Sequence, residues 1–385
     1  MKKVLSLMMA AVMTAAMLAG CGGAASGAPV SENGKAQFII GSMGPLTGPA
    51  ASYGISVKQG AEVAINEINA AGGVKVGETE YELKLVFEDD EAAEDKAIQA
   101  YNTVMDQGAN VILGAVTSGS CLAVVDLTAK DNILQITPSG SAPGCIKNPN
   151  NFRICFSDPE QGLAMADYAY NTLGYTSLAV IYNNASDYSS GLAAAFEEEY
   201  KALGGQVVVS ESFTDGDVDF NTQLTKIKSA APQALYIPAY YQEISYIATQ
   251  ARDMGMDLPL IGSDGWDGVL ATITDPADVE GAIFSAPFCA AVEDPAVVQF
   301  VEAYKELSGG AIPDQFAADA YDGVYTIKAA MEQAGSIESQ ALIDAMSQIT
   351  VAGLTGSSIT FDENGAPAKD VRYVKVTGGQ YGYAE

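Results

Sequence analysis

Short apolar runs alternate with amphipathic helical stretches along most of this chain, and no other feature restricts its fold as strongly. Phe38–Met43, Leu83–Glu88, Val111–Gly114, Ile133–Thr137, Leu178–Tyr182, Val207–Ser210, Ala234–Ile237 and Ala282–Ala286 read as strands. Between them lie helical stretches: Gly54–Ala71, Glu94–Asp106, Leu122–Lys130, Gln161–Thr172, Ser190–Leu203, Phe220–Ala230 and Glu243–Met254. In the first, Ile55, Ala61, Ala64, Ile65 and Ile68 recur at helical spacing and Gly72-Gly73 ends the pattern. Strand and helix in regular succession predict parallel sheets covered on both faces by helices. The 385 residues, 48% hydrophobic, divide into two such α/β halves, about 38–155 and 156–284. After Ala286 the pattern changes to three helices, Val297–Leu307, Phe316–Ala334 and Glu338–Gln348. Ser358–Asp362 and Val371–Val376 read as a hairpin around Glu363-Asn364-Gly365, since Asn-Gly between apolar-patterned runs favours a tight turn.

The first twenty residues read as an address. Met1-Lys2-Lys3 is a positive start and Val4–Leu18 an apolar stretch, shorter than the roughly 20 residues a spanning helix needs. Leu18-Ala19-Gly20-Cys21 resembles a bacterial lipobox. The expectation is removal of residues 1–20, lipidation of Cys21 and a flexible Gly/Ala/Ser-rich tether over 21–35. That places the protein outside the cytoplasm, anchored through Cys21 to the outer face of the cell membrane. Cys121, Cys145, Cys155 and Cys289 remain, which allow three pairings. A Cys121–Cys145 bridge and four inert buried thiols are both open.

Charge and composition exclude several classes of function. Nineteen Lys and Arg against 48 Asp and Glu give a net charge of −29, which repels phosphate backbones and anionic headgroups. The chain has no histidine, which removes Ser-His-Asp and Cys-His catalysis and His-ligated zinc. Neither a G-x-G-x-x-G after a strand nor a G-K-[ST] is present, so nucleotide phosphate cradles are missing. Asp215-Gly216-Asp217-Val218-Asp219 begins like a calcium loop, but Phe220 and Lys226 stand where glycine and glutamate belong. The acidic run Glu88-Asp89-Asp90-Glu91 reads as a solvated strand end. No cofactor or metal is expected.

The chemistry that remains follows the strands. In open α/β sheets ligands bind beyond the carboxyl ends of strands, near helix N-termini. Thr117-Ser118-Gly119-Ser120 follows one strand and Pro138-Ser139-Gly140-Ser141 the next. Both are hydroxyl-and-glycine loops suited to a carboxylate through N–H and O–H donors, although Ser and Thr at such places also serve as ordinary helix caps. In the second half, Asp264 of Gly262-Ser263-Asp264-Gly265-Trp266 follows Leu258–Ile261 and offers a carboxylate to an ammonium group. Tyr53, Tyr188 and Tyr240 each fall in a loop or at a helix start, as aromatic walls of a small-molecule pocket would.

These segments, together with Ile40–Gly48, Asn66–Val74, Glu88-Asp89-Asp90, Ile136–Ser139, Phe152-Arg153, Asp158, Gln161-Gly162 and Ala320–Gly323, resemble the leucine/isoleucine/valine-binding proteins of bacterial ABC transporters. The resemblance implies the type I periplasmic-binding fold: two doubly wound α/β lobes joined by a three-crossing hinge. It implies crossings near 153–157, 284–288 and 350–357, with lobe 1 over 36–155 plus 286–352 and lobe 2 over 156–285 plus 353–385. It implies that Ser118 and Ser141 hold a ligand carboxylate, and that Ser139, Ser141 and Asp264 hold its ammonium. Asp264 is shorter than the glutamate often found there. Tyr53, Thr117, Tyr188, Tyr240 and Trp266 then form the pocket walls, Trp266 not being a general family feature. The disulfide that some members carry near the first cleft loop has no counterpart.

The function expected on this basis is an extracytoplasmic, non-enzymatic binding subunit that delivers a branched-chain aliphatic amino acid to ABC transporter permease subunits. A same-fold receptor for an aromatic amino acid, an amide or a urea-like ligand is the first alternative, invited by Trp266. A ligand-sensing module is another. An exported hydrolase using acid pairs such as Asp264 with Glu243 lacks any nucleophile–base motif.

Overall fold

The structure is a computed structural model that describes residues 34–384. The export segment, Cys21 and nearly all of the expected tether lie outside the described residues. The first sheet is built from β1 (Ala36–Gly44), β2 (Val74–Val76), β3 (Thr79–Asp89), β4 (Val111–Gly114), β5 (Gln135–Thr137) and β6 (Asn151–Arg153). Its helices are α1 (Ala51–Ala70), α2 (Glu94–Asp106) and α3 (Ser118–Lys130). Strand order is β2-β3-β1-β4-β5-β6, parallel throughout except for β2.

The second unit contains α4 (Asp158–Asp167), β7 (Ser177–Asn183), α5 (Asp187–Ala202), β8 (Gln206–Phe213), α6 (Asn221–Ala230), β9 (Ala234–Ile237), α7 (Tyr241–Asp253), β10 (Leu260–Gly262), α8 (Val269–Thr272) and β11 (Ile283–Ser285). The chain then returns to the first unit as α9 (Pro295–Ser308), α10 (Gln315–Ala334) and α11 (Ser339–Ala345), with α10 packed along α1. It ends in the second sheet as β12 (Tyr373–Thr377) and β13 (Gln380–Tyr383). Order there is β13-β12-β11-β10-β9-β7-β8, with β12 and β13 antiparallel and the rest parallel. Central strands are apolar on both faces because helices cover both: Val111, Ile112 and Leu113 are fully buried, as are Leu178 to Ile181.

Each of the eight apolar runs contains a strand, although β5 and β11 are shorter than the runs Ile133–Thr137 and Ala282–Ala286, and the three helices after Ala286 are present. The expected hairpin around Asn364 is not. The turn forms, with Asp362 N–H donating to Ala366 O at 3.0 Å, but its flanks make only isolated bridges, Val351–Ile359 and Phe361–Pro367. The true C-terminal hairpin is β12–β13, turning at Gly378 and Gly379, both with positive φ.

The same contacts move the third crossing. Residues 351–369 stay on the first unit: Phe361 packs edge-on against Phe152 at 5.7 Å, and Arg153 N–H donates to Gly365 O at 3.1 Å. Asp322 of α10 accepts from Leu354 N–H (2.8 Å), Thr355 N–H (2.9 Å) and the Thr355 hydroxyl (2.6 Å). Lys369 pairs with the buried Asp319 at 3.4 Å. The crossing therefore falls near 370–372, where Ala286 N–H meets Arg372 O, and not at 352–353.

Asp322 is the anchor of this strap, so Asp322→Ala leaves two backbone N–H groups without a partner. It is expected to lower stability by about 3 kcal/mol, measured as the urea midpoint of the ligand-free protein; an unchanged midpoint would place the anchor elsewhere.

Candidate functional site

Each sheet reverses its strand order once, between β1 and β4 in the first and between β7 and β9 in the second. Ligand crevices form at such switch points, beyond the carboxyl ends of the strands. The segments that leave these four strands carry Tyr53, Thr117, Tyr188 and Tyr240. The neighbouring segments after β5 and β10 carry Ser139 and Asp264.

Six of the expected residues meet there. Tyr53, Thr117, Ser139, Tyr188, Tyr240 and Asp264 line one cavity between the two units, together with Val116, Gly265 and Phe316. Its volume is about 10 Å³, room for about one water molecule, so in this closed form the side chains of the walls nearly fill the cleft. Tyr188 stacks on Tyr240 (centroids 5.0 Å apart), while Tyr53 meets Tyr240 edge-on at 5.3 Å and Phe316 at 4.2 Å. Gly54 lets α1 begin so close to the preceding loop: a Cβ there would come within 2.0 Å of Pro45 O.

Asp264 begins a single 3-10 turn, Asp264–Trp266, directly after β10. Its carboxylate is buried and accepts the Tyr188 hydroxyl at 2.6 Å, while that hydroxyl accepts Gly265 N–H at 2.8 Å. Burial pushes the Asp264 pKa up to about 6, against the hydrogen bond from Tyr188 and nearby amides that favour the ionised form. Burial, then the charge of Asp264, pushes the Tyr188 phenol well up as well.

On the opposite wall the first turn of α3 holds the hydroxyls. The helix starts at Ser118, four residues earlier than the sequence pattern gives, and Thr117 makes no side-chain cap. The capping explanation of this Ser/Thr loop therefore does not apply. The Thr117 hydroxyl is buried without a hydrogen-bond partner. Ser139 donates its hydroxyl to Val116 O at 2.6 Å. Ser118 and Ser141 sit just behind this wall with their hydroxyl oxygens 3.4 Å apart, and neither lines the cavity. Ser118 Oγ accepts the N–H groups of Ser141 and Ala142, both at 3.2 Å.

Trp266 is a correction. Its side chain is fully buried, donates Nε1–H to Ile237 O at 2.8 Å and stacks towards Phe284. It belongs to the core beneath β9 and β10, because in a 3-10 turn, with three residues per turn, side chains two positions apart leave in different directions. Cys121, Cys145, Cys155 and Cys289 are free thiols, and Cys21 lies outside the described residues.

Three groups have no role in the sequence reading, although Asp158 and Gln161 are among the residues that carry the resemblance. Gln161 of α4 accepts Asp264 N–H (3.1 Å) and the Ser285 hydroxyl (2.7 Å). Gln315 of α10 reaches across from the first unit, donating Nε2–H to Asp264 O at 2.6 Å while its N–H meets Asp267 Oδ2 at 2.9 Å. Asp158, at the start of α4, is buried with both carboxylate oxygens unpartnered, and burial raises its pKa to about 8. No sequence motif marks these roles. With Tyr53 O–H to Gly265 O (2.6 Å) and Ser52 N–H to the Tyr241 hydroxyl (3.1 Å), the Gln315 bonds hold the two units closed over the cavity. Among the described residues no group of three or more His, Cys, Asp or Glu is placed to hold a metal, and no helix is long and apolar enough to cross a membrane.

The periplasmic binding protein family matches residues 38–380. A Leu/Ile/Val-binding protein homolog of Brucella melitensis is 33% identical over 311 residues, 80% of this chain and 82% of that protein. The branched-chain amino acid transporter substrate-binding protein LivJ of Streptococcus pneumoniae, solved with isoleucine, superposes with a TM-score of 0.83 at 30% identity, covering 90% of this chain and 99% of that one. A leucine-binding protein LivK of Thermotoga maritima gives 0.82 at 30% identity, covering 90% and 98%. Its relatives are binding proteins of transporters rather than enzymes, and the chain belongs to the periplasmic binding protein family, in its branched-chain amino acid ABC transporter substrate-binding group.

Proposed function

We propose that this protein captures a branched-chain aliphatic amino acid outside the cytoplasm and delivers it to the permease of an ABC importer, anchored to the membrane by a lipid on Cys21. The observation that carries the reading is a buried carboxylate, Asp264, facing the unpartnered Thr117 hydroxyl and Ser139 across an aromatic-lined cleft between the two units. A zwitterion complements both ends. Its ammonium would pair with Asp264 beside Ser139 and Ser141; its carboxylate would take the hydroxyls of Ser118 and Ser141 at the uncapped start of α3, where the helix dipole favours an anion. The side chain would lie against Tyr53, Tyr188 and Tyr240. The family supports a site of action outside the cytoplasm, and the named relatives support the ligand class. The placement of Trp266 in the core removes the feature that favoured an aromatic or amide ligand.

Closure supplies the signal. The bonds from Gln315 and Tyr53 to the Asp264–Gly265 turn join the two lobes, so a ligand that also bridges them binds the closed form better and shifts the population towards it. A permease can then distinguish loaded from empty protein by shape.

Leucine, isoleucine or valine at about 100 times its Kd should stabilise the protein by about 2.7 kcal/mol, read as a rise in Tm across the twenty amino acids. A rise with none of the three refutes the ligand assignment. Asp264→Asn separates binding from stability. It should weaken leucine binding by about 3–5 kcal/mol, because the ammonium loses its charge partner. The ligand-free variant should nevertheless be more stable than wild type at pH 7, by on the order of 3 kcal/mol. An acid raised to about 6 on folding carries no penalty below its unfolded value near 4 and the full penalty above 6. The stability gain should therefore vanish on acidification through that window; a variant that binds as wild type does would mean the ammonium site is elsewhere.

A further inference from the structure

Arg153, the last residue of β6, is buried, and its guanidinium points at the back of the 140–143 loop. It donates to Gly140 O (3.5 Å), Ser141 O, Ala142 O (3.2 Å) and Pro143 O (3.4 Å). Two of these carbonyls belong to the peptide groups whose N–H ends sit on Ser118. The Gly140–Ser141 peptide has its oxygen on Arg153 and its N–H on Ser118 Oγ, and so has the Ser141–Ala142 peptide. Two peptide dipoles thus lie in parallel between a fixed positive charge and one serine hydroxyl.

That charge is not matched locally. Among the described residues no carboxylate lies within ion-pair distance of Arg153, and its Nε has no partner. Asp158, an acid that feels the Arg153 charge, has its pKa raised to about 8 by burial, so it is mostly uncharged at neutral pH. A buried cation surrounded only by carbonyl oxygens favours an anion on the far side of the groups it polarises.

We infer that Arg153 is a positioning residue for the ligand carboxylate: through the Gly140–Ser141 and Ser141–Ala142 peptides it loads Ser118 Oγ with N–H donors, frees the Ser118 proton to point at the anion, and makes that end of the cleft electropositive without touching the ligand. This rests on the proposed placement of the amino acid carboxylate at Ser118. It explains how a chain of net charge −29 with no cation in the cavity wall holds a carboxylate.

The test compares calorimetric Kd values for L-leucine and L-leucinamide, which differ only at the carboxylate. Wild type should prefer leucine strongly. Arg153→Gln should lose about 10- to 100-fold of that preference, the range for removing an outer-shell partner, with leucinamide affinity changed far less. Arg153→Lys, which keeps the charge, should retain most of the preference. Equal loss for both ligands in Arg153→Gln, or equal loss of preference in Lys and Gln variants, overturns the role of the charge. Wild type that binds neither probe overturns both this inference and the proposed ligand; wild type that binds leucine with preference intact in Arg153→Gln overturns this inference alone. If Arg153→Gln does not fold, amide resonances of Ser141 and Ala142 in the wild type decide: they should shift with leucine and much less with leucinamide, and equal shifts overturn the relay.

Discussion

A carboxylate is held out of water at Asp264 with a phenol and amides around it and no cation. Ion pairs elsewhere among the described residues are mostly at the surface, and none involves Asp264. Burial of such a group raises its pKa, and the hydrogen bond from Tyr188 offsets that only in part. Folding this carboxylate inwards therefore costs the protein stability, and the proposed ligand ammonium would offset that cost. Binding site and destabilising residue are one feature here, which is the usual pattern where function opposes stability.

The fold brings this about through topology more than through any special sequence. Two sheets each reverse strand order once, and the four segments that leave at those reversals, joined by the neighbouring loops, line a shared crevice. Parallel strands with both faces covered make rigid platforms, so the groups at their ends are fixed relative to one another within each lobe. Among the described residues the hydrogen bonds across the cleft come from Ser52, Tyr53 and Gln315, with Asp158 N–H to Ser141 O joining the lobes as well. A small number of polar contacts is easily exchanged for water, which suits an element that must open and close.

Much of the architecture is readable from the residues because its strands are continuous apolar runs and its helices carry clear periodicity. The exceptions have physical reasons. β6 is Asn151-Phe152-Arg153, polar side chains buried in hydrogen bonds to Thr128, Gln135 and the 140–143 loop, so no apolar run announces it. β2 is a three-residue antiparallel edge too short to show a pattern. Asn364-Gly365 is a genuine turn whose flanks pair with other partners, since local turn chemistry does not choose the strands on either side. At the site, residues in the strand-end segments were identifiable by position, whereas Trp266 was misjudged by adjacency to Asp264. Gln161 and Gln315 act through contacts between residues far apart in sequence, such as Gln161 with Ser285, which no local pattern encodes.

The central claim is that the cleft is polarised, hydroxyls and amides at one end and the Asp264 carboxylate at the other. A crystal structure of the protein grown with L-isoleucine tests it most directly. The account predicts the ammonium against Asp264, the carboxylate at Ser118 and Ser141, and the side chain among Tyr53, Tyr188 and Tyr240. A ligand bound in the reverse orientation, or bound outside this cleft, would contradict it.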